Sequence, residues 1–190
     1  SCNGSTDKVS YGLSGSYQTQ NPVMVGTSHT MYSFRANFAY RLTKWLSAGT
    51  RLTYSNIDYK RVMSGQSNFS GAVRSVTSAP PIFSPYNPDG SVRDMLHGKF
   101  FKNPLAVATN YPISYKEWAI RMNQYFKFHI TKEFSFRTNL SFDIRNNTQK
   151  SYFPKEYDNN NIDNYRYRST DYNRFLLENT FDYHKKFRKS

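Results

Sequence analysis

The stretch Phe134–Ile144, FSFRTNLSFDI, alternates with a period of two. Phe134, Phe136, Leu140, Phe142 and Ile144 fall on one side. Ser135, Arg137, Asn139, Ser141 and Asp143, followed by Arg145, fall on the other. Side chains go to opposite faces in this way along a β-strand, so the pattern predicts a strand with one apolar and one polar face. Large rings on one face need a cover, and only a protein core or lipid supplies it.

The pattern recurs along the chain. In Tyr32–Leu42, Phe34, Ala36, Phe38, Tyr40 and Leu42 oppose Arg35, Asn37 and Arg41. In Leu46–Ser55, Leu46, Ala48, Leu52 and Tyr54 oppose Ser47, Arg51, Thr53 and Ser55. In Trp118–Ile130, Trp118, Ile120, Met122, Phe126, Phe128 and Ile130 oppose Arg121, Asn123, Lys127 and His129. Val9–Tyr17 and Phe175–Tyr183 are weaker versions. The expectation is an all-β, antiparallel up-and-down meander of about six strands.

Two connections are tight, Leu42-Thr43-Lys44-Trp45-Leu46 and Ile130-Thr131-Lys132-Glu133-Phe134. Pairing Leu42 with Leu46, and Ile130 with Phe134, keeps both partners on the apolar face and leaves about three residues in each loop. The other connections are long. Residues 60–115 are rich in Ser, Gly and Pro, and residues 148–168 in Asn, Tyr and Arg. Asn87-Pro88-Asp89-Gly90 reads as a turn, with Pro preset for its second position.

Composition narrows the function. Of 190 residues, 37% are hydrophobic, yet 17% are aromatic, which favours pleated surfaces over disorder. The single cysteine, Cys2, excludes a disulfide framework and a Cys-based zinc site within this sequence. No run of about 18 apolar residues occurs, so no membrane-spanning helix is expected. The formal charge of +13 raises nucleic acid as a partner. Arg35, Arg51, Arg121, Arg137 and Arg145, however, alternate with small polar residues along successive strands and form no single basic patch. His29, His97, His129 and His184 are scattered, so neither catalysis nor a metal site is expected. Asp158–Asp163 lacks the Gly and distal Glu of a calcium loop. No cofactor is expected.

The apolar face can be covered by a sandwich core or by lipid, and the pattern alone leaves both open. Transmembrane strands need ~9–11 residues, alternate in period two, carry aromatic girdles, and join by short turns at one end and long loops at the other. All four features occur. The expected fold is then a segment of a large transmembrane β-barrel. In that setting Arg35, Arg51, Arg121, Arg137, Asp143 and Arg145 face the lumen. Tyr86, Phe100, Phe101, Tyr111, Tyr115, Tyr152, Tyr157, Tyr165 and Tyr167 sit in the long loops, where rings with polar handles suit sugars or a protein lid. The competing reading is a soluble basic β-protein that binds polysaccharide or nucleic acid.

Five segments in order resemble one family, the SusC/RagA-type TonB-dependent outer-membrane receptors of the Bacteroidetes group. They are KVSYGLSGSY from Lys8; Phe34–Tyr54 with its LTKWL turn; APPIFSPYNPDG from Ala79; Asn103-Pro104-Leu105-Ala106; and Phe134–Pro154 with SFRTNLSFDI and SYFP. The resemblance implies a barrel of about 22 strands closed by a plug domain. It implies import of glycans or peptides, driven by TonB, with a SusD-like surface lipoprotein as lid and no nucleic acid. Residues 1–190 would be an early-to-middle barrel segment of a longer protein. The plug would provide the acidic partners for the lumenal arginines, and residues 60–115 and 148–168 would be extracellular loops.

Overall fold

The computed structural model describes residues 1–20, 22–62, 71–97, 101–111, 113–155 and 162–185. The elements follow in the order β1 (Cys2–Ser5), β2 (Val9–Gln20), β3 (Ser28–Arg41), β4 (Leu46–Arg61), α1 (Ala72–Ser78), β5 (Met95–His97), β6 (Phe101–Lys102), α2 (Pro104–Asn110), β7 (Ile113–His129), β8 (Phe134–Phe153) and β9 (Asn164–Tyr183). Seven strands form one antiparallel sheet in the order β1-β2-β3-β4-β7-β8-β9, and β5 and β6 pair separately. The expected meander is therefore present, with β1 added at its start.

Register follows the parity of the apolar residues. Arg41 pairs with Ser47 and His129 with Ser135, which sets Leu42 opposite Leu46 and Ile130 opposite Phe134. One threonine organises each tight turn. The N–H of Thr43 donates to the Leu46 carbonyl at 3.1 Å, while the Leu46 N–H donates to Thr43 Oγ1 at 3.0 Å. Thr131 makes the same pair of bonds with Phe134, at 3.1 and 3.0 Å. Thr6 makes it with Val9, at 2.7 and 3.1 Å. A Thr hydroxyl thus closes a turn that has no glycine. The turns also bond sideways. The N–H of Arg41 donates to the Lys8 carbonyl, that of His129 to Trp45, and that of His184 to Glu133.

The register stacks like faces across six strands. The rows Val9–Tyr40–Ala48–Phe126 and Leu13–Ala36–Leu52–Met122–Phe142–Phe175 are both outward and apolar. Near the tight turns a chain of rings runs from the turn before β4 across three strands: Trp45 to Phe128 at 6.2 Å, Phe128 to Phe136 at 6.0 Å, and Phe136 to Phe181 at 4.8 Å. Tyr17, Tyr32, Tyr54 and Trp118 mark the other border of the apolar band, and all four are exposed. Within the band, Tyr40, Thr50 and Gln124 are polar, and they bond to one another through Thr50 Oγ1. This mutual satisfaction lowers the cost of placing polar groups on an apolar face.

The strands do not stop at the band. Outward positions beyond it are Asn56, Asp58, Lys116, Asn146, Thr148, Lys150, Ser169 and Asp171, so the sheet projects past the apolar region. The connection expected over 148–168 is correspondingly shorter. β8 continues through Phe153 and β9 begins at Asn164, because cross-strand pairs extend the ladder where apolar alternation has already ceased. The connection expected over 60–115 begins after Arg61, ends before Ile113, and has its own structure. Its α2 packs Val107, Ala108 and Tyr111 against Val62, Met24 and Phe153. Gly26, at φ +81°, lies so close to the Ala108 carbonyl that a Cβ there would collide.

The turn chemistry gives a first prediction. Thr43→Val and Thr131→Val each remove one side-chain acceptor from a turn. Each is expected to lower unfolding stability by about 0.5–1.5 kcal/mol, measured by urea titration of the full-length protein in detergent. Thr→Ser at either site should restore most of the loss.

Candidate functional site

The polar face carries the charged residues. Arg35, Arg51, Arg121, Arg137, Asp143 and Arg145 all occupy the same face as Asn37, Thr53, Asn123 and Ser141. Two groupings stand out. Around Asp143, Arg145 Nη2 lies 3.0 Å from Oδ2, Arg121 Nε lies 3.6 Å from Oδ1, and Arg174 is the register partner on β9. One carboxylate therefore pairs with two guanidinium groups, with a third arginine on the neighbouring strand. A cavity of about 350 Å³ beside them is lined by Arg51, Arg121, Asp143 and Arg174.

The second grouping orders Arg137. Its Nε donates to Asn139 Oδ1 at 3.0 Å, and its guanidinium lies 4.4 Å from the centre of the Tyr125 ring. The Tyr125 ring lies over Gly49, where a Cβ would run into it. Gly49, Tyr125 and Arg137 thus stack across β4, β7 and β8, and the arginine is held before any partner arrives. A neighbouring cavity of about 290 Å³ is lined by Arg51, Arg137, Asn37 and Asn123, with no carboxylate among its lining residues. Its chemistry is that of an anion acceptor. Sequence reasoning found the arginines. It missed Gly49, Tyr125 and Arg174, because only register brings them together.

The aromatic candidates separate into different settings. Tyr86 is in a loop and half exposed, as expected. Tyr111 caps the C-terminus of α2, is 2% exposed, and belongs to the small core there. Tyr115 lies within β7 and not in a loop. Its ring stacks on Tyr59 at 4.6 Å, and Arg61 sits over it at 4.5 Å. Tyr152, Tyr165 and Tyr167 are strand residues on the outward side, where Tyr152 pairs with Tyr165 and Lys150 with Tyr167. Tyr152 Oη and the Lys155 N–H both donate to Asp163 Oδ1, at 3.2 and 2.8 Å. Phe101 has its backbone in β6. Phe100 and Tyr157 lie outside the described residues, as do positions 158–161 of the acidic run. His29 neighbours Tyr59, His97 stacks on Phe83, and His129 bonds Ser47.

Two short motifs prove to be structural. Asn87–Gly90 closes with the Gly90 N–H donating to the Asn87 carbonyl at 3.0 Å, and Gly90 takes φ +85°. Ser91 donates to Asp89 Oδ1 through its hydroxyl and its N–H, which holds the Asp89 carboxyl below its ordinary value. Asn103 is fully buried. Its Oδ1 accepts from the Leu105 N–H at 3.0 Å, capping α2, with Pro104 in the first turn. Its Nδ2 donates to the Pro85 and Arg93 carbonyls at 2.7 and 2.6 Å. The Asn-Pro dipeptide ahead of an Ala-rich run is a helix-start signal that the sequence already carried.

The fold is one curved wall of a transmembrane β-barrel, and its structural neighbours are β-barrel receptors. No protein-family model matches the chain. TonB-dependent receptor P26 of Formosa agariphila is 32% identical over 108 residues, 56% of this chain and 10% of that protein. The RagAB peptide importer in its closed-closed state aligns with a TM-score of 0.80 at 21% identity, over 98% of this chain and 22% of that one. Its open-open state aligns with a TM-score of 0.76 at 22% identity, over 95% of this chain and 21% of that one. The chain spans about a fifth of the length of these structures. In sequence the chain is similar to a stretch of a TonB-dependent receptor, and in fold to a segment of the RagAB importer.

Asn103 and Asp89 supply two tests. Asn103→Asp keeps the helix cap but loses both amide donors to buried carbonyls. It is expected to destabilise residues 85–110 by about 1–3 kcal/mol, read as faster amide exchange confined to that stretch. Asp89 has a depressed folded pKa, so its contribution is present above the ordinary carboxyl pKa and disappears as pH falls through the folded one. The Ser91 amide should exchange more slowly than in Asp89→Asn near neutrality and at the same relative rate once Asp89 is protonated.

Proposed function

We propose that the chain is part of the barrel wall of an outer-membrane nutrient importer that takes up glycans or peptides. One observation carries the reading. Large apolar side chains from six consecutive strands share one face and remain open, with Phe175 at 59% and Phe181 at 66% exposure, while guanidinium groups fill the opposite face. Lipid outside and a wet lumen inside satisfy both faces together. The receptor and importer relatives support transport over catalysis.

In this reading the plug domain fills the lumen and TonB supplies the energy. The plug's carboxylates approach the wall at Arg51 and Arg137, where the cavity has cations and no lining carboxylate. Arg35, Arg121 and Arg145 extend the same electropositive wall. A SusD-like lipoprotein acts as lid over the loop end, where Tyr86 is a candidate contact. Solved RagAB structures support the kind of partner, a receptor working with a lipoprotein.

Two experiments test this. Expressed with its natural flanking sequence in its own outer membrane, the protein should fractionate with that membrane and show heat-modifiable electrophoretic mobility. A monomeric, water-soluble protein with a cooperative melt would contradict the reading and favour a soluble basic β-protein. In the full-length receptor, Arg137→Glu should raise amide exchange in the plug by about tenfold or more, equivalent to losing one charge-assisted contact of about 1.5 kcal/mol. Unchanged plug protection would remove the arginine wall from plug docking.

A further inference from the structure

The loop end of the sheet is covered on one side only. A single sheet layer leaves its large side chains partly open, as Ile120 at 37% and Ile144 at 39% exposure show on the outward face. Ile113 and Tyr115, on the lumenal parity of β7, are each 7% exposed, and Ser151, opposite Ile113 on β8, is 4% exposed. Their outward neighbours Lys116, Lys150 and Tyr152 are exposed. Nearer the tight turns, Arg51 and Arg121 on the lumenal face are exposed again. A second layer therefore lies over the lumenal side of the loop end. Arg61 supplies part of it, with its guanidinium 4.5 Å from the centre of the Tyr115 ring.

The connection between β4 and β7 reaches the same side. Tyr111, at the end of α2, meets Phe153 edge-on with ring centres 5.7 Å apart, and Phe153 has the lumenal parity of Ser151. Val107 and Ala108 pack with Tyr111 against Val62, with Met24 from the β2–β3 connection beside them. Gly26 fixes this seat, since a Cβ there would collide with the Ala108 carbonyl. The helix is tied down from behind as well, through the buried Asn103 and its bonds to the Pro85 and Arg93 carbonyls. A loop lying on the outer surface would rest on outward residues. This one rests on a lumenal ring.

We propose that this connection is a fixed shelf inside the barrel mouth, and that it sets a size limit on what enters the lumen along β4, β7 and β8. The inference rests on the outer-membrane reading above and goes beyond it. Material entering from the loop end on this side of the barrel passes the shelf before it reaches Arg51 or Arg121. An extended chain, one residue or one sugar wide, fits such a passage better than a folded or branched one. The shelf is selective because it is rigid: α2 is clamped between a buried asparagine on one side and the Gly26 seat on the other.

The test uses the full-length receptor in its own outer membrane, with Cys2 and any other cysteine replaced and one cysteine introduced. Ile57→Cys reports the lumenal wall next to Tyr59 on the same face, and Lys116→Cys reports the outward face. Labelling from outside compares a small maleimide with one carried on a long polyethylene glycol. Each rate at Ile57→Cys is divided by the rate of the same reagent at Lys116→Cys. With the shelf seated, the large reagent should react more slowly than the small one by about tenfold or more. Gly26→Val, which unseats α2, should remove most of that difference, and Tyr111→Ala gives the same readout if Gly26→Val does not assemble. Equal normalised rates for the two reagents with the shelf seated would overturn the proposal. So would a block, to the large reagent or to both, that survives in the unseated variants. Failure of the native receptor to float with the outer membrane, seen before any labelling, would overturn the outer-membrane reading and the shelf with it.

Discussion

A slip of one residue between any two neighbouring strands would turn phenylalanine rings inward and arginines into the apolar band. That constraint holds the sheet to one register. From β2 through β9 the register keeps the two faces in phase, with rows such as Leu13–Ala36–Leu52–Met122–Phe142–Phe175 on one side and the arginines on the other. The three threonine-closed turns set this phase at one end, and sideways bonds between them carry it from hairpin to hairpin. The aromatic chain from Trp45 to Phe181 reinforces it just above the turns. Backbone pairing and side-chain segregation are therefore one requirement met twice.

The two faces then divide the work. The outward face is a solvent boundary: apolar rings across the band, tyrosine and tryptophan at its border, and lysine, asparagine and threonine beyond it. The inward face carries the arginines. There Asp143 neutralises part of an arginine cluster, and Gly49 and Tyr125 hold Arg137 ready. Pre-ordering of this kind lowers the entropy cost of meeting an anionic partner. The long connection between β4 and β7 is not slack chain. Asn103 ties its helix to two distant carbonyls, and α2 seats on the loop-end residues of the sheet.

Much of the fold was legible in the sequence because period two is a local property. Phe134–Ile144 and Trp118–Ile130 declared their strands, their faces and the register of the turn between them. The outer halves of β8 and β9 were not legible. Residues such as Asn146, Thr148 and Ser169 lack apolar alternation, and their ladder exists because a neighbouring strand extends alongside. β1 was missed because it is short, although Thr6-Asp7-Lys8-Val9 has the chemistry of the other two turns. For the site, sequence supplied the arginines and register supplied their company. Tyr115 and Tyr152 were read as loop residues because aromatic, polar stretches look alike whether or not a strand pairs with them.

The central claim is that the apolar face meets lipid while the polar face meets water. The most direct measurement is electron paramagnetic resonance accessibility along β8 in the full-length receptor in bilayers, with Cys2 replaced and single spin labels placed from Phe136 to Arg145. The account predicts alternation. Labels at 136, 140, 142 and 144 should be relaxed by oxygen dissolved in lipid, and labels at 137, 139, 141, 143 and 145 by a water-soluble nickel chelate. Uniform access of the nickel chelate to both sets would contradict it.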